Sequence, residues 1–353
     1  MMLPGFFAGT LARADFPQQK HEMTELAQSK TVNNSFKLFI HRSQLVFALF
    51  TSLKRITPAG EAGAHMEFNM TITAPVIRYH GAKFRLAPWV LQHFPPHTCY
   101  VESFGGAAGV LMQKPRSYAE VYNDLDGDIV NLFRVLQDQD SRSGLVERLV
   151  FTPYSREEFE LSWEPSAEPI ERARRTIIRA QMGFGSAGAT KGVTGFRIDT
   201  KRQYGTAQSL WATYPEQLAE VGQRLSGVLI ENRPAIEVIK AHDGPQTLHY
   251  VDPPYVHDTR YKGASSGRYY KHEMDDGAHR ELLGVLLDLE GMVVLSGYPS
   301  DLYAELLPGW ASYSTSARIS AGRGTANRTE CIWLNPACVD RVSQIGLDLG
   351  ERA

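Results

Sequence analysis

Cysteine is scarce in this chain, with only Cys99, Cys331 and Cys338 among 353 residues and no CxxC pair. That excludes a disulfide framework and a cysteine zinc cage, and it leads to the expectation of a reducing, cytoplasmic setting without structural metal. His93 and His97 have the i, i+4 spacing of a helical metal pair, but Pro95 and Pro96 between them would break that helix. Long apolar runs are also missing. The strongest, Leu45 to Leu53, is interrupted by Thr51 and too short to span a bilayer, and it follows too much polar chain to serve as a secretory signal. The formal net charge of -2 argues against coating nucleic acid through overall charge, though it leaves room for one basic face. No internal repeat is evident. What remains is an ordinary soluble composition, 43% hydrophobic and 22% charged, long enough for one large domain or two modest ones.

Residues 1–69 lack sustained periodicity, and Met66 and Met70 stand just before the first patterned segment. The expectation is a poorly ordered N-terminal extension that the folded protein does not need. From Ala74 onward strands alternate with helices: a strand over Cys99 to Phe104, a helix opening over Ala107 to Gln113, a strand over Tyr118 to Asn123 and a helix over Ile129 to Gln137. Further on come a strand over Leu248 to Val251, a helix within His279 to Leu289, and strands over Met292 to Ser296 and Glu330 to Leu334. The pattern predicts an α/β fold with a mostly parallel, Rossmann-like sheet, formed by residues 70–137 and 230–340 and closed by a tail at 341–353. Residues 138–229 break the alternation and read as an inserted, mostly helical domain.

Asp252-Pro253-Pro254-Tyr255, directly after the apolar run Leu248 to Val251, is the most telling motif. A strand that ends in an acid, two prolines and an aromatic must bend sharply, leaving hydrogen-bond acceptors unpaired. The Asp252 carboxylate and the Pro253 carbonyl can together receive two hydrogens of one planar amino group, while Tyr255 offers a ring face to a flat heterocycle. Taken alone, the tetrapeptide reads equally as a capped strand with a packed tyrosine. A second strand end changes the balance. Phe104-Gly105-Gly106-Ala107-Ala108-Gly109 has the glycines that let a ligand approach the backbone, and Asp124 ends the next strand, where an acid can bind ribose hydroxyls. These point to a ligand carrying adenosine, either a dinucleotide or S-adenosylmethionine. An amine holder is superfluous for hydride transfer, which favours the second.

In motif order the chain resembles the Dam-like adenine-N6 DNA methyltransferases of the alpha group, over roughly Val76 to Pro336. The order runs Arg78-Tyr79-His80-Gly81-Ala82-Lys83, then Phe104-Gly105-Gly106, then Asp124, a variable region, and Asp252-Pro253-Pro254-Tyr255. The resemblance implies that Tyr79, Lys83, Phe104, Gly105, Asp124 and Asp252 contact S-adenosylmethionine, and that Asp252, Pro253 and Tyr255 are the catalytic set acting on a flipped-out adenine. The chain departs from the family at His80-Gly81-Ala82, where relatives often carry Pro-Gly-Gly or Ala-Gly-Gly, and in its Gly-Gly-Ala-Ala-Gly donor turn. Arg328 to Asn335 resembles the closing strand of phage-type relatives and is read as structural.

The same resemblance makes residues 138–229 the target-recognition region. From Glu171 to Arg202, eight basic residues face only Glu171 and Asp199. Arg172, Arg175, Lys191, Arg197, Lys201 and Arg202 are the expected contacts to double-stranded DNA, with a solvated helix face as the plainer alternative for any one arginine. The full expectation is a monomeric, cytoplasmic, bacterial or phage-encoded adenine methyltransferase that needs no metal. Methylation of cytosine-N4, RNA or a protein glutamine uses the same holder, but relatives acting on cytosine or glutamine usually carry Ser or Asn where this chain has Asp252. A catalytically silent DNA-binding relative is the alternative of a different class.

Overall fold

The computed structural model describes residues 72–342 apart from residues 187, 191, 199–204, 257–258, 260–269 and 322–323, and gives the backbone alone for 318–327. The expected extension at 1–69 and most of the tail at 341–353 lie outside the described residues. Seven strands form one sheet: β1 (Cys99–Glu102), β2 (Ala119–Asn123), β3 (Leu229–Glu231), β4 (Thr247–Val251), β5 (Met292–Gly297), β6 (Ala311–Ala321) and β7 (Gly324–Leu334). Their order is β3-β2-β1-β4-β5-β7-β6, with the first five parallel and β7 antiparallel to both of its neighbours. Cys99 lies opposite Ala119 of β2 on one side and Thr247 of β4 on the other. The chain therefore reverses its direction of travel across the sheet at β1, and the crevice beyond the carboxyl ends of β1, β2 and β4 is where such a sheet binds ligands.

Every residue of β4 and β5 is buried, as expected of parallel strands covered on both faces. Alternate side chains separate the faces. Tyr100, Tyr122, Tyr250 and Val294 pack with α1 (Ala87–Leu91), α2 (Gly127–Gln137), α3 (Gln139–Phe151), α4 (Arg156–Leu161), α5 (Pro169–Met182), α6 (Ala207–Thr213) and α7 (Leu218–Leu225). On the other face, Val251, Val293 and Leu295 pack with α8 (Ala235–Ala241), α9 (Asp276–Leu287) and α10 (Asp301–Leu306). Side-chain caps set several helix boundaries: Asp126 accepts from Asp128 N to start α2, and Asp138 accepts from Ser141 N to start α3 where α2 ends. Pro169 at the first turn of α5 follows Glu168, whose carboxylate takes two orphan N–H groups.

Two expectations need correction. The segment from Gly106 to Gln113 is a run of turns, not a helix. Ala108 lies at φ 53°, and the Leu111 N–H bonds to the Glu102 carboxylate at 2.9 Å, so the helical ladder cannot propagate through it. The final strand is longer than Glu330 to Leu334 because it forms a hairpin with β6, whose Ser- and Thr-rich sequence has no apolar alternation to announce it.

The helices between β2 and β3 carry the basic cluster, and the structure pairs much of it. Arg172 and Arg179 both reach Asp128, at 2.7 and 3.2 Å, while Arg174 bonds Glu171 and Glu158 and Arg175 bonds Glu171 and the Glu164 carbonyl. The local excess counted along the chain is thus offset by Asp128 and Glu158, which lie outside the counted window. Arg197 is buried, with its carbonyl accepting from the Tyr154 hydroxyl at 2.7 Å. Lys191, Lys201 and Arg202 lie outside the described residues.

These pairs have a pH signature. The carboxyl of Glu171 is lowered to about 2, chiefly by its bond from Arg174. Asp128 is also lowered to about 2: burial alone would raise it, but bonds from Lys271 and Arg172 outweigh that. Folded values below the unfolded ones add stability above the ordinary carboxylate range and lose it as pH falls from about 4 toward 2. Thermal midpoints measured across that range should fall steeply for the wild type, and Asp128→Asn should flatten the slope; an unchanged slope would remove Asp128 from the account.

Candidate active site

The cleft at the carboxyl ends of β1, β2 and β4 encloses about 910 Å³, open solvent at its mouth included. Tyr79, Lys83, Phe104, Gly105, Asp124 and Asp252 all stand in its wall, although they come from three distant parts of the chain. Tyr255 adjoins it, with the Lys83 ammonium 4.8 Å from its ring centroid.

Lys83 is the hub. Its Nζ donates to Asp252 Oδ2 at 2.8 Å and to the Gly81 carbonyl at 2.8 Å, and both members of the ion pair are largely buried. Asp252 Oδ1 is buried without a hydrogen-bond partner among the described residues. No described hydrogen bond ends on the Pro253 carbonyl either. The Asp252 carboxylate thus keeps one buried acceptor unpaired, a costly arrangement unless a donor arrives; Asp252 and Pro254 line the cleft, and Pro253 lies between them in the chain.

The glycine turn forms the opposite wall by close packing. A Cβ on Gly105 would lie 2.1 Å from the Tyr122 ring, and one on Gly109 would lie 2.6 Å from the backbone nitrogen of Phe84. The Tyr122 hydroxyl donates to the Gly106 carbonyl at 2.6 Å, and the Gly106 N–H donates to Asp124 Oδ2 at 2.8 Å. The other Asp124 oxygen accepts from Asp126 N at 2.8 Å. Asp126, not Asp124, is the helix cap. Burial holds the Asp124 carboxyl above its usual range against these two N–H bonds, and each oxygen keeps a lone pair for a further donor.

Two parts of the wall escaped the sequence reading. Glu102, the last residue of β1, accepts from the Tyr100 hydroxyl at 2.7 Å and from Leu111 N. Burial pushes its carboxyl up to about 8, so it carries its proton at neutral pH. An acid inside an apolar strand, two residues before the glycine turn, was the available signal. The second is the segment Tyr270 to Met274. The Tyr270 hydroxyl lies 2.4 Å from where a Cβ on Gly81 would be, too close for a side chain there, and Gly81 also sits at φ 76°; Lys271 bonds Asp126 and Asp128, each at 2.9 Å. Nothing in its local pattern points to Asp126, 145 positions earlier in the chain.

A model of the D12 class N6 adenine-specific DNA methyltransferase family matches residues 79–293, well over half of the chain. The chain belongs to that family. The match runs from Tyr79 in the turn before Lys83 to Val293 in β5, so it takes in the whole cleft described above and stops short of the β6–β7 hairpin. None of the curated proteins matches the chain. Membership makes this an adenine-N6 DNA methyltransferase, with DNA as substrate, and implies S-adenosylmethionine as methyl donor. Among the described residues no helix is long and apolar enough to cross a membrane, and no group of three His, Cys, Asp or Glu side chains is placed to hold a metal.

The glycine packing gives a direct test. Gly105→Ala should destabilise the enzyme by about 1–3 kcal/mol through overpacking against Tyr122. Gly284→Ala, on the exposed face of α9 with nothing within 4 Å of its added methyl, should stabilise by up to about 1 kcal/mol. Urea unfolding of both variants checks the pair, and equal effects would show that the turn is looser than described.

Proposed function

We propose that the cleft takes S-adenosylmethionine against Tyr79, Lys83, Phe104, Gly105 and Asp124, and that Asp252 and Pro253 grip the N6 amine of an adenine swung out of double-stranded DNA and received against Tyr255. The observation that carries this reading is the buried Asp252 Oδ1, which has no hydrogen-bond partner among the described residues. The side chains suit a cationic guest as well: besides the protonated Glu102, the cleft wall holds the carboxyl groups of Asp124, Asp126, Asp252 and Glu273 against the ammonium groups of Lys83 and Lys271.

Adenine's amino lone pair is delocalised into its ring and is a poor nucleophile until the nitrogen becomes more tetrahedral. When bound, S-adenosylmethionine supplies an electrophilic methyl group on a sulfonium centre. Asp252 Oδ1 and the Pro253 oxygen accept the two amino hydrogens, which turns the lone pair out of the ring plane and stabilises the positive charge that grows on nitrogen during transfer. Lys83, bonded to Asp252 Oδ2, holds the carboxylate plane so that Oδ1 faces the amine. The proton lost from nitrogen afterwards has Asp252 as its nearest acceptor. Bringing a paired base to this site costs stacking and pairing of a few kcal/mol.

Recognition of the DNA target falls to the helices and loops of residues 138–229 in this reading. Basic side chains there meet phosphates while a few others read base edges. Arg172 and Arg175 would exchange carboxylate partners for phosphate oxygens on binding.

The test is transfer of a tritiated methyl group onto unmethylated DNA. Asp252→Ala should lower kcat by a factor on the order of 10² to 10³, while Lys83→Ala should raise the KM for the donor and lower kcat together. Label that appears on RNA or protein in place of DNA, or an Asp252→Ala enzyme with undiminished kcat, would defeat the proposal.

A further inference from the structure

Tyr255 is tied to strands that lie at and beyond the end of the family match. Its hydroxyl donates to Glu330 Oε2 of β7 at 2.7 Å, and Ser296 Oγ of β5 lies 3.4 Å from the same phenolic oxygen. Tyr298, just past β5, packs edge-on against its ring, with centroids 4.4 Å apart and planes 68° apart. Glu330 is buried, at 6% exposure.

An acid at this point is costly. The β7 side chains alternate, and Ile332 and Leu334, two and four positions on along the same face, belong to the main apolar core. A hydrocarbon at 330 would extend that core, whereas a buried carboxyl must be compensated by partners. Burial holds the Glu330 carboxyl above its usual range, opposed first by the nearby Lys83 charge and then by the Tyr255 hydroxyl; Asp252 pushes it further up and Tyr298 pulls it down. Its partners are therefore the residues around the amine holder, not the sheet.

We propose that Glu330 is a positioning residue for adenine methylation, which by accepting the Tyr255 hydroxyl sets the tilt and face of the ring that receives the target base. The inference rests on the reading of Tyr255 given above. The physical basis is that a phenolic hydrogen lies in the plane of its ring. An acceptor fixed on a neighbouring strand therefore anchors the far end of the side chain and orients the aromatic face together. Ser296 is too distant to substitute for it fully.

The experiment is a double-mutant cycle on methyl transfer to unmethylated DNA, with kcat and the KM for DNA and donor measured separately. Glu330→Ala and Tyr255→Phe should each lower kcat by about tenfold to hundredfold, as a misplaced reactant does, with donor KM unchanged. The double variant should be no slower than Tyr255→Phe alone, and Glu330→Gln, which keeps an acceptor oxygen, should recover most of the loss. Additive losses in the double variant, or a Glu330→Gln enzyme as slow as Glu330→Ala, would overturn the positioning role. Tyr255→Phe removes one oxygen and leaves the ring, so an unchanged kcat there overturns the role even where Glu330→Ala fails to fold. Tyr255→Ala separates the two claims: if it leaves kcat intact, the reading of Tyr255 itself is wrong, whatever Glu330 does.

Discussion

The bond between Lys83 and Asp252 joins two parts of the chain 169 positions apart and defines the site. A buried ion pair repays its desolvation only when the remaining donors and acceptors are also satisfied. Here the satisfaction is one-sided. The ammonium has Asp252, the Gly81 carbonyl and the Tyr255 ring around it, while the carboxylate keeps one oxygen bare. In the proposed reading that imbalance turns a structural contact into a receptor, because it fixes a carboxylate in place and leaves one of its acceptors unpaired.

The sheet makes the imbalance possible. Asp252 follows a strand buried on both faces and paired to β1 on one side and β5 on the other, so the backbone that carries it is rigid. β1 and β2 deliver Glu102, the glycine turn and Asp124 to the same level. Helices on both faces keep the crevice as the main outlet for polar groups at the sheet's carboxyl end. The helices between β2 and β3 are bound into the same core as the sheet, and the Asp128 carboxylate holds Arg172 and Arg179 of α5 together with Lys271 from the cleft wall.

Local chemistry was legible in the sequence where it was punctuated. Proline after an acid at a strand end, glycines after a strand and an acid after the next strand each announce themselves within a few residues, and their order along the chain pointed to the family. Features set by distant partners were not legible. No pattern near residue 107 shows that Glu102 captures the Leu111 N–H and stops a helix. The polar sequence of β6 pairs because β7 lies beside it, and the arginines of α5 looked unpaired because Asp128 lies 44 positions from Arg172. Glu330 was read as part of a closing strand because nothing adjacent to it in sequence hints at a tyrosine 75 positions back.

The close approach of Gly109 to the backbone of Phe84 has an energetic corollary. With no room even for a methyl group between them, the glycine turn and the segment carrying Lys83 are locked together, so in the proposed reading this side of the crevice has its working shape before any guest arrives. Association there forfeits little conformational freedom, and more of the contact energy survives as affinity.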